Sequence, residues 1–438
     1  MPTRRKFLKT AALTGAGLTI GAPAIGKNII GANRRVNVAV FGVNGRGGGL
    51  ANTFATATDS WIYGIGDVDS RAVEKTQKAV YDLKNHRPKG NQDFRRFLDD
   101  RDVDAVVIAT PDHWHAPMAI MALEAGKDVY LEKPCSHNPQ EGEWLIAKQK
   151  KTGKLVQMGN QTRSSVTLNK IVKEIHEGII GEAYAGKAWY ANTRGGIGKP
   201  KKTARPEWLD WDLWQGPAPR KEYHEGYAHY DWHWYFDYGT GEILNNGTHE
   251  IDMCRWALGV DYPTKVTSSG GRYHFNDGWQ FYDTQNVGYE FSGKKTINWE
   301  GRSCNGMPFW NRGRGSLIHG TEGTVLMDRQ GYWLYDLKGK EIRKEMEAAK
   351  SVSMDVRGGG GLDDLHIRNF ISAINSGEKL NSPIDDANTS VTICHLGNIA
   401  QRTTGSLNLN TATGKPLNNP EALALWGREY AEGWKPKV

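Results

Sequence analysis

The chain has 438 residues, more than one ordinary hydrophobic core serves, and at roughly 100–200 residues per domain it predicts two folded domains. Hydrophobic residues make up 38% and charged residues 24%, a balance that excludes a polytopic membrane protein and a disordered polymer. The formal charge is +7, but Arg4, Arg5, Lys6 and Lys9 stand in an acid-free N-terminal stretch, and removing these four cations leaves +3. No nucleic-acid footprint survives that subtraction.

The first segment reads as an address. Thr3-Arg4-Arg5-Lys6-Phe7-Leu8-Lys9 precedes a weakly apolar run over 11–20 and a small-x-small site at Ala22-Pro23-Ala24, which predicts a twin-arginine signal peptide and linker over 1–33. A basic amphipathic helix would also carry paired arginines, but Gly15, Gly17, Gly21 and Pro23 interrupt it. The expected location is periplasmic or otherwise exported by the twin-arginine machinery. No other stretch is long and apolar enough to span a bilayer. Cys135, Cys254, Cys304 and Cys394 lie far apart with no C-x-x-C, so neither a zinc ribbon nor a redox dithiol is written here, and buried apolar thiols are expected.

Residues 34–159 alternate short apolar runs with helical patterns, with strands predicted at 36–41, 61–65, 104–109, 128–131 and 155–158 and helices at 70–83, 116–125 and 139–151. Alternating β and α predicts a parallel, doubly wound Rossmann sheet. The first strand runs into Gly42-Val43-Asn44-Gly45-Arg46-Gly47, where a pyrophosphate would sit on backbone amides at a helix start. Gly42 and Gly47 fit the first and third glycines of a dinucleotide loop, while Asn44 holds the second place and Gly45 is shifted by one. Asp67 follows Gly42 by 25 residues at the end of the second strand, where a carboxylate would bond both ribose hydroxyls; it would repel a 2′-phosphate, which favours NAD over NADP. Asp69 is the better N-cap for the next helix. Thr110-Pro111-Asp112-His113-Trp114-His115 and Glu132-Lys133-Pro134 both follow strands at the ligand-binding end of such a sheet. Lys133, partly desolvated there, could shift its pKa or act on a substrate hydroxyl, though pairing with Glu132 at the surface explains it equally.

Thr110-Pro111 with His115, and Glu132-Lys133-Pro134 after a glycine-rich first turn, resemble the Gfo/Idh/MocA oxidoreductases, the family of glucose-fructose oxidoreductase and inositol dehydrogenase, over about residues 36–405. The resemblance implies a nicotinamide-binding Rossmann domain followed by an α+β domain with a large, mostly antiparallel open sheet, often used for oligomer contacts. It also implies that Lys133 is the catalytic lysine beside the nicotinamide and that Glu132 and His115 line the cofactor with Thr110 and Pro111.

In the second domain, 160–405, a helix is predicted over 166–177, a strand over 183–190 and an irregular, aromatic segment over 191–240. Its tryptophans, with Tyr230 and His233, would suit the C–H faces and hydroxyls of a sugar, or pack as core or subunit contact. Asn245 and His249 are four apart and can face one cleft at a helix start. They resemble the family's Asp-x-x-x-His signature, with Asn245 in place of the Asp; an amide carries no transferable proton, so the chemistry is expected to rest on His249 and Lys133, with Asn245 orienting a hydroxyl. Arg163 is a further candidate for a substrate contact. Hairpins are predicted around 286–291 and 296–300 and helices over 362–375 and 387–404. There is no metal constellation, and His366 and His395 are expected to be structural. The tail, 406–438, carries Trp426 and Trp434 and is expected to lie over a neighbouring subunit of a homo-oligomer.

These readings converge on an exported NAD(H)-dependent oxidoreductase acting on a secondary hydroxyl of a sugar, sugar alcohol or glycoside. The cofactor would be retained and reset by ping-pong exchange or a redox-neutral cycle. One alternative is an NAD-dependent glycoside hydrolase working through a transient keto sugar, although relatives of that kind tend to lack the lysine of Glu-Lys-Pro. A second is an inactive sugar-binding module, because Asn44 and Asn245 replace motif residues.

Overall fold

In the computed structural model, which describes residues 35–57, 59–348 and 361–438, six short runs form one parallel sheet. They are β1 (Val36–Phe41), β2 (Ser60–Gly66), β3 (Lys89–Asn91), β4 (Ala105–Ile108), β5 (Asp128–Leu131) and β6 (Val156–Met158), in the order β3-β2-β1-β4-β5-β6. β4 is buried at every position, as a strand covered on both faces must be. Strand order reverses between β1 and β4, which opens a crevice at their carboxyl ends. The predicted twin-arginine signal lies outside the described residues.

The helix after β4 spans Asp112–Glu124, four residues earlier than its pattern predicted, because Pro117 disguised its first turns. Proline has no N–H for the carbonyl of His113, four residues back. Arg428 donates to that carbonyl instead, Nη2 to O at 2.7 Å. The guanidinium also grips the fully buried Glu141, Nε to Oε1 at 2.8 Å, which accepts from Tyr430 Oη at 2.9 Å as well. Trp434 meets Trp114 edge-on with centroids 5.1 Å apart, and Trp426 is buried. The tail therefore packs on its own chain, contrary to the expectation that its tryptophans cover a neighbouring subunit; the orphaned carbonyl and the buried Glu141 supply polar partners that a flat subunit contact would not.

β7 (Ala183–Ala191) opens the second sheet, followed by a two-residue ribbon of β8 (Lys201–Lys202) and β9 (His224–Glu225). The sheet continues with β10 (Lys265–Gly271), β11 (Thr284–Phe291), β12 (Lys295–Arg302), β13 (Arg314–Gly320), β14 (Thr324–Asp328), β15 (Gly331–Tyr335), β16 (Glu341–Met346) and β17 (Ser406–Asn408). The order is β16-β15-β14-β13-β7-β12-β11-β10-β17, antiparallel at every junction except β7 with β12. The predicted hairpin is β11–β12, turned by Gly293 and Lys294 at φ 75° and 59°. One face buries Val266, Val287, Tyr289, Ile297 and Trp299 against Ile251 and Leu396 of the helices Gly247–Leu258 and Ile384–Arg402. Trp189, Leu317, Leu326 and Trp333 cluster on the other.

Two boundaries differ from the sequence reading. β17 lies in the segment read as tail and extends the sheet beside β10. The helix Gly361–Ser376 returns to the first domain, where Ile367, Phe370 and Ile371 enter one core with Val38, Val40, Phe54 and Tyr130. Helix periodicity marks an apolar face but not the sheet that will receive it.

At Gly47 a Cβ would stand 2.2 Å from the carbonyl oxygen of Gly42, backbone against backbone. Gly47→Ala is expected to lower stability by about 1–3 kcal/mol, read as a reduced midpoint in urea. Gly195→Ala, where a Cβ would meet nothing within 4 Å, is expected to leave the midpoint unchanged.

Candidate functional site

A cavity of about 590 Å³ runs from the glycine loop after β1 to the start of the helix Gly247–Leu258. Its near end is lined by Gly42, Asn44, Gly45, Arg46 and Asp67, with Thr110 and Pro111. Gly42 takes φ 77°, and a Cβ there would sit 2.6 Å from the oxygen of Ala109, so only glycine lets the first turn cross the end of β4. The helix Arg46–Thr56 begins with no side-chain cap and no acid in its first turn, which leaves its positive end free for an anion. Gly45, which precedes it, has no atom within 4 Å of a Cβ position. These features fit a pyrophosphate.

Asp67 accepts from the amides of Val43 at 2.7 Å and Asp69 at 2.9 Å, which fixes its carboxylate at the cavity wall. Burial, the largest influence, raises its pKa against those hydrogen bonds. Asp69 caps the helix Ser70–Lys84 by accepting from Arg71 N, as expected. It also holds the Arg71 guanidinium at 3.0 and 2.9 Å, under which the Trp208 ring lies 3.3 Å from Cζ. Arg71 is thus occupied by a carboxylate and an indole.

The two suspect loops are tied together by His115, whose Nδ1 lies 2.6 Å from the oxygen of Pro134 and Nε2 2.8 Å from that of Thr110. Glu132 is buried and accepts from Arg46 Nε at 2.8 Å. The rest of that guanidinium closes on Asp363 at 2.8 and 2.5 Å. Lys133 Nζ donates to the backbone carbonyl of Asn245 and, at 3.1 Å, to its Oδ1. Burial pulls the Lys133 ammonium down to about 8, against the opposing pull of Glu132 and Asp112. Asn245 therefore holds the lysine as well as facing the cavity.

The helix start at Gly247 brings His249 beside Lys133 in the lining. Its Nδ1 is 3.0 Å from Asn160 Oδ1, and Asn160 Nδ2 donates to Asp252 Oδ2 at 2.6 Å. A carboxylate only accepts, so it fixes which way the Asn160 amide points, and the imidazole must then carry its proton on Nδ1. Burial, followed by the charges of Arg329, Lys133 and Arg314, holds the His249 pKa well below the usual histidine range. His249 is accordingly neutral, with Nε2 available as a base on the cavity side.

Arg163 belongs to this support and not to the substrate wall. Its guanidinium binds Asp252 at 2.6 and 2.8 Å with the Trp256 ring 4.7 Å away, and it does not line the cavity. Adjacency to Gly159-Asn160-Gln161 had suggested a contact, whereas a buried Asp252 claims the charge. The aromatic segment does both: Trp211, Tyr227, Tyr235 and Tyr238 form a core of their own, Tyr230 and His233 face the cavity, and Trp214 and Trp232 belong to that core and also line the cavity. Burial lowers His233 to about 3. Sequence reasoning missed Asn160 and Asp252, for which the only signal was the (i, i+3) relation of Asp252 to His249, and Arg194, Arg314 and Arg329, which had none.

The four cysteines are unbridged, with Cys135, Cys254 and Cys394 buried and Cys304 half-buried, and no metal-holding group of His, Cys, Asp or Glu occurs among the described residues. No helix of those residues is long and apolar enough to cross a membrane.

Residues 36–160 match the profile of an oxidoreductase family with an NAD-binding Rossmann fold, and residues 165–339 match that family's C-terminal alpha/beta domain. A glycosyl hydrolase family 109 protein from Saccharopolyspora erythraea is 30% identical over 209 residues, 43% of this chain and 45% of that protein. An alpha-N-acetylgalactosaminidase from Shewanella oneidensis is 29% identical over 210 residues, with the same shares. The chain thus matches less than half the length of these curated relatives. The aldose-aldose oxidoreductase from Caulobacter crescentus, solved with glycerol, superposes with a TM-score of 0.64 at 19% identity, over 86% of this chain and 100% of that one, a likeness of fold. With both halves of the chain matched in order, and with the glycine loop, Lys133 and His249 gathered on one cavity, this protein belongs to the Gfo/Idh/MocA oxidoreductase family.

Proposed function

We propose that the protein is an NAD-dependent enzyme that cleaves a glycoside through transient oxidation of a secondary ring hydroxyl. The observation that carries this reading is His249, whose Nδ1 is held by Asn160 and whose ring lines the cavity that begins at the glycine loop, a second base beside the one that oxidation needs. Bound NAD supplies hydride acceptance from the carbinol carbon and hydride return. Asp67 favours NAD over NADP, and Arg71, engaged by Asp69 and Trp208, is not free for a 2′-phosphate. In its neutral form Lys133 takes the hydroxyl proton as the carbonyl forms, while Asn245 holds Nζ in place. The carbonyl acidifies the neighbouring C–H, and His249 Nε2 takes that proton as the aglycone leaves the anomeric carbon. Water then adds there, its released proton going to the oxygen of the departed aglycone; the His249 proton returns to carbon, and reduction of the carbonyl, with the Lys133 proton returned to its oxygen, regenerates the hydroxyl, so the net change is hydrolysis. The names of the two curated relatives support glycoside cleavage.

A second reading keeps the first step and resets the cofactor by reducing a second carbonyl compound. Lys133 and the likeness to the Caulobacter enzyme favour it. Either cycle closes without free nicotinamide, which suits a protein that the twin-arginine pattern would send folded, with NAD loaded, out of the cytoplasm. We further propose a homo-oligomer formed through the outer face of the nine-stranded sheet.

Protein isolated without added cofactor is expected to release near-stoichiometric NAD(H) on denaturation, measured by absorbance and mass. Turnover of chromogenic glycosides without an added carbonyl acceptor supports the hydrolase; strict dependence on an acceptor selects the second reading. Lys133→Met should abolish the absorbance change of bound nicotinamide on adding substrate, and full turnover in that variant sinks the lysine's role. Because the lysine must be neutral to accept the proton, wild-type kcat/KM should rise as pH passes through about 8 and then level off. Asn160→Leu removes the acceptor for His249 Nδ1–H and should reduce kcat by about 10²–10⁴-fold with bound NAD retained.

A further inference from the structure

The substrate half of the cavity is rich in cations, and all but one are matched. Arg194 binds Glu242 at 2.8 Å. Arg314 closes on Glu250 at 2.7 and 2.9 Å and on Asn246 Oδ1 at 3.1 Å. Arg46 is shared by Glu132 and Asp363, and Lys133 is held by Asn245 with Glu132 and Asp112 nearby.

Arg329 differs. It stands in the turn between β14 and β15, lines the cavity, and has no ion-pair or hydrogen-bond contact among the described residues, Glu250 and Asp363 acting on it only at longer range. Its Nε is buried without an acceptor. The adjacent acid, Asp328, cannot serve, because its carboxylate takes Arg312 Nε and the amide of Gln330, each at 2.7 Å. Burial and the charge of Arg314 depress the guanidinium to about 9, and its own charge is felt by His249 and Lys133. A half-buried arginine whose Nε is shut off from water and which touches no anion leaves its charge poorly compensated. A ligand that brings the anion supplies that compensation, and the planar fork of a guanidinium matches a carboxylate or a sulfate ester in two parallel bonds.

We infer that Arg329 selects a sugar carrying an acidic substituent, a carboxylate or a sulfate ester, and seats that group beside His249 and Lys133. The inference rests on the sugar-oxidising reading for its substrate class, but binding tests it without turnover. Calorimetric titration of the NAD-loaded protein would compare glucuronate and galacturonate, and the 6-sulfates of glucose and galactose, with the two corresponding neutral sugars, glucose and galactose. At least one acidic series should bind about tenfold or more tightly than its neutral counterpart, and which series does so separates carboxylate from sulfate. Arg329→Gln should erase the difference while bound NAD stays at wild-type stoichiometry. Arg329→Lys, which keeps the charge but not the fork, should retain part of it. Equal affinity for acidic and neutral sugars in the wild type, no binding of any acidic sugar, or loss of bound NAD in Arg329→Gln, which would assign the arginine to the cofactor, each overturns the inference. Preference for acidic sugars without turnover would sink the catalytic reading and leave this one standing.

Discussion

Arg46 is the residue on which the geometry of the cavity depends. It opens the helix after the glycine loop, yet its guanidinium is spent on Glu132 at the end of β5 and on Asp363 at the head of a helix 317 residues away. One side chain thereby fixes the phosphate-facing turn, the residue before the reactive lysine and a helix supplied by the second half of the chain. Buried ion pairs add little net stability over apolar packing but are expensive to break singly. The network therefore serves position more than stability, holding the cofactor end and the lysine at one separation.

The second element of order is electrostatic. Burial holds down the pKa of His249, and Arg329, Lys133, Arg314 and Arg46 add to it from around the cavity, so the imidazole stays neutral. Asn160 and Asp252 then decide which nitrogen carries the proton. Charge state and tautomer are set by different parts of the surroundings, the first by burial reinforced by the cations lining the cavity and the second by an amide held from behind. Arg163 contributes to the second through Asp252, at one remove from any substrate.

The alternating apolar runs made the parallel sheet legible, because β1, β4 and β5 are local patterns with local causes. The loops after these strands could be read for the same reason: Gly42, Asp67, Lys133 and His115 hold their places relative to strand ends, and strand ends are where such sheets bind ligands. Asn245 and His249 were visible as a pair on one helix start. What was hidden comes from contacts between segments distant in sequence. Nothing near Arg314 or Arg329 marks them as cavity residues, since they arrive through the register of the nine-stranded sheet. Arg163 was misread because its partner is 89 residues away. The early start of the helix at Asp112 was concealed by Pro117, whose structural consequence is met by Arg428 at the far end of the chain.

That last contact, with the return of the helix Gly361–Ser376 to the first core, bears on how the protein is made. The nucleotide-binding domain is not complete when the ribosome has finished β6. Its core lacks Phe370, its glycine-loop arginine lacks Asp363, and the carbonyl of His113 has no donor until the chain is nearly finished. At roughly 5–20 residues per second, the 317 residues between Arg46 and Asp363 represent a wait on the order of tens of seconds, during which the nascent domain exposes an unfinished apolar face. Assembly of the cofactor site is thus a late, essentially post-translational event, coupled to closure of the whole chain.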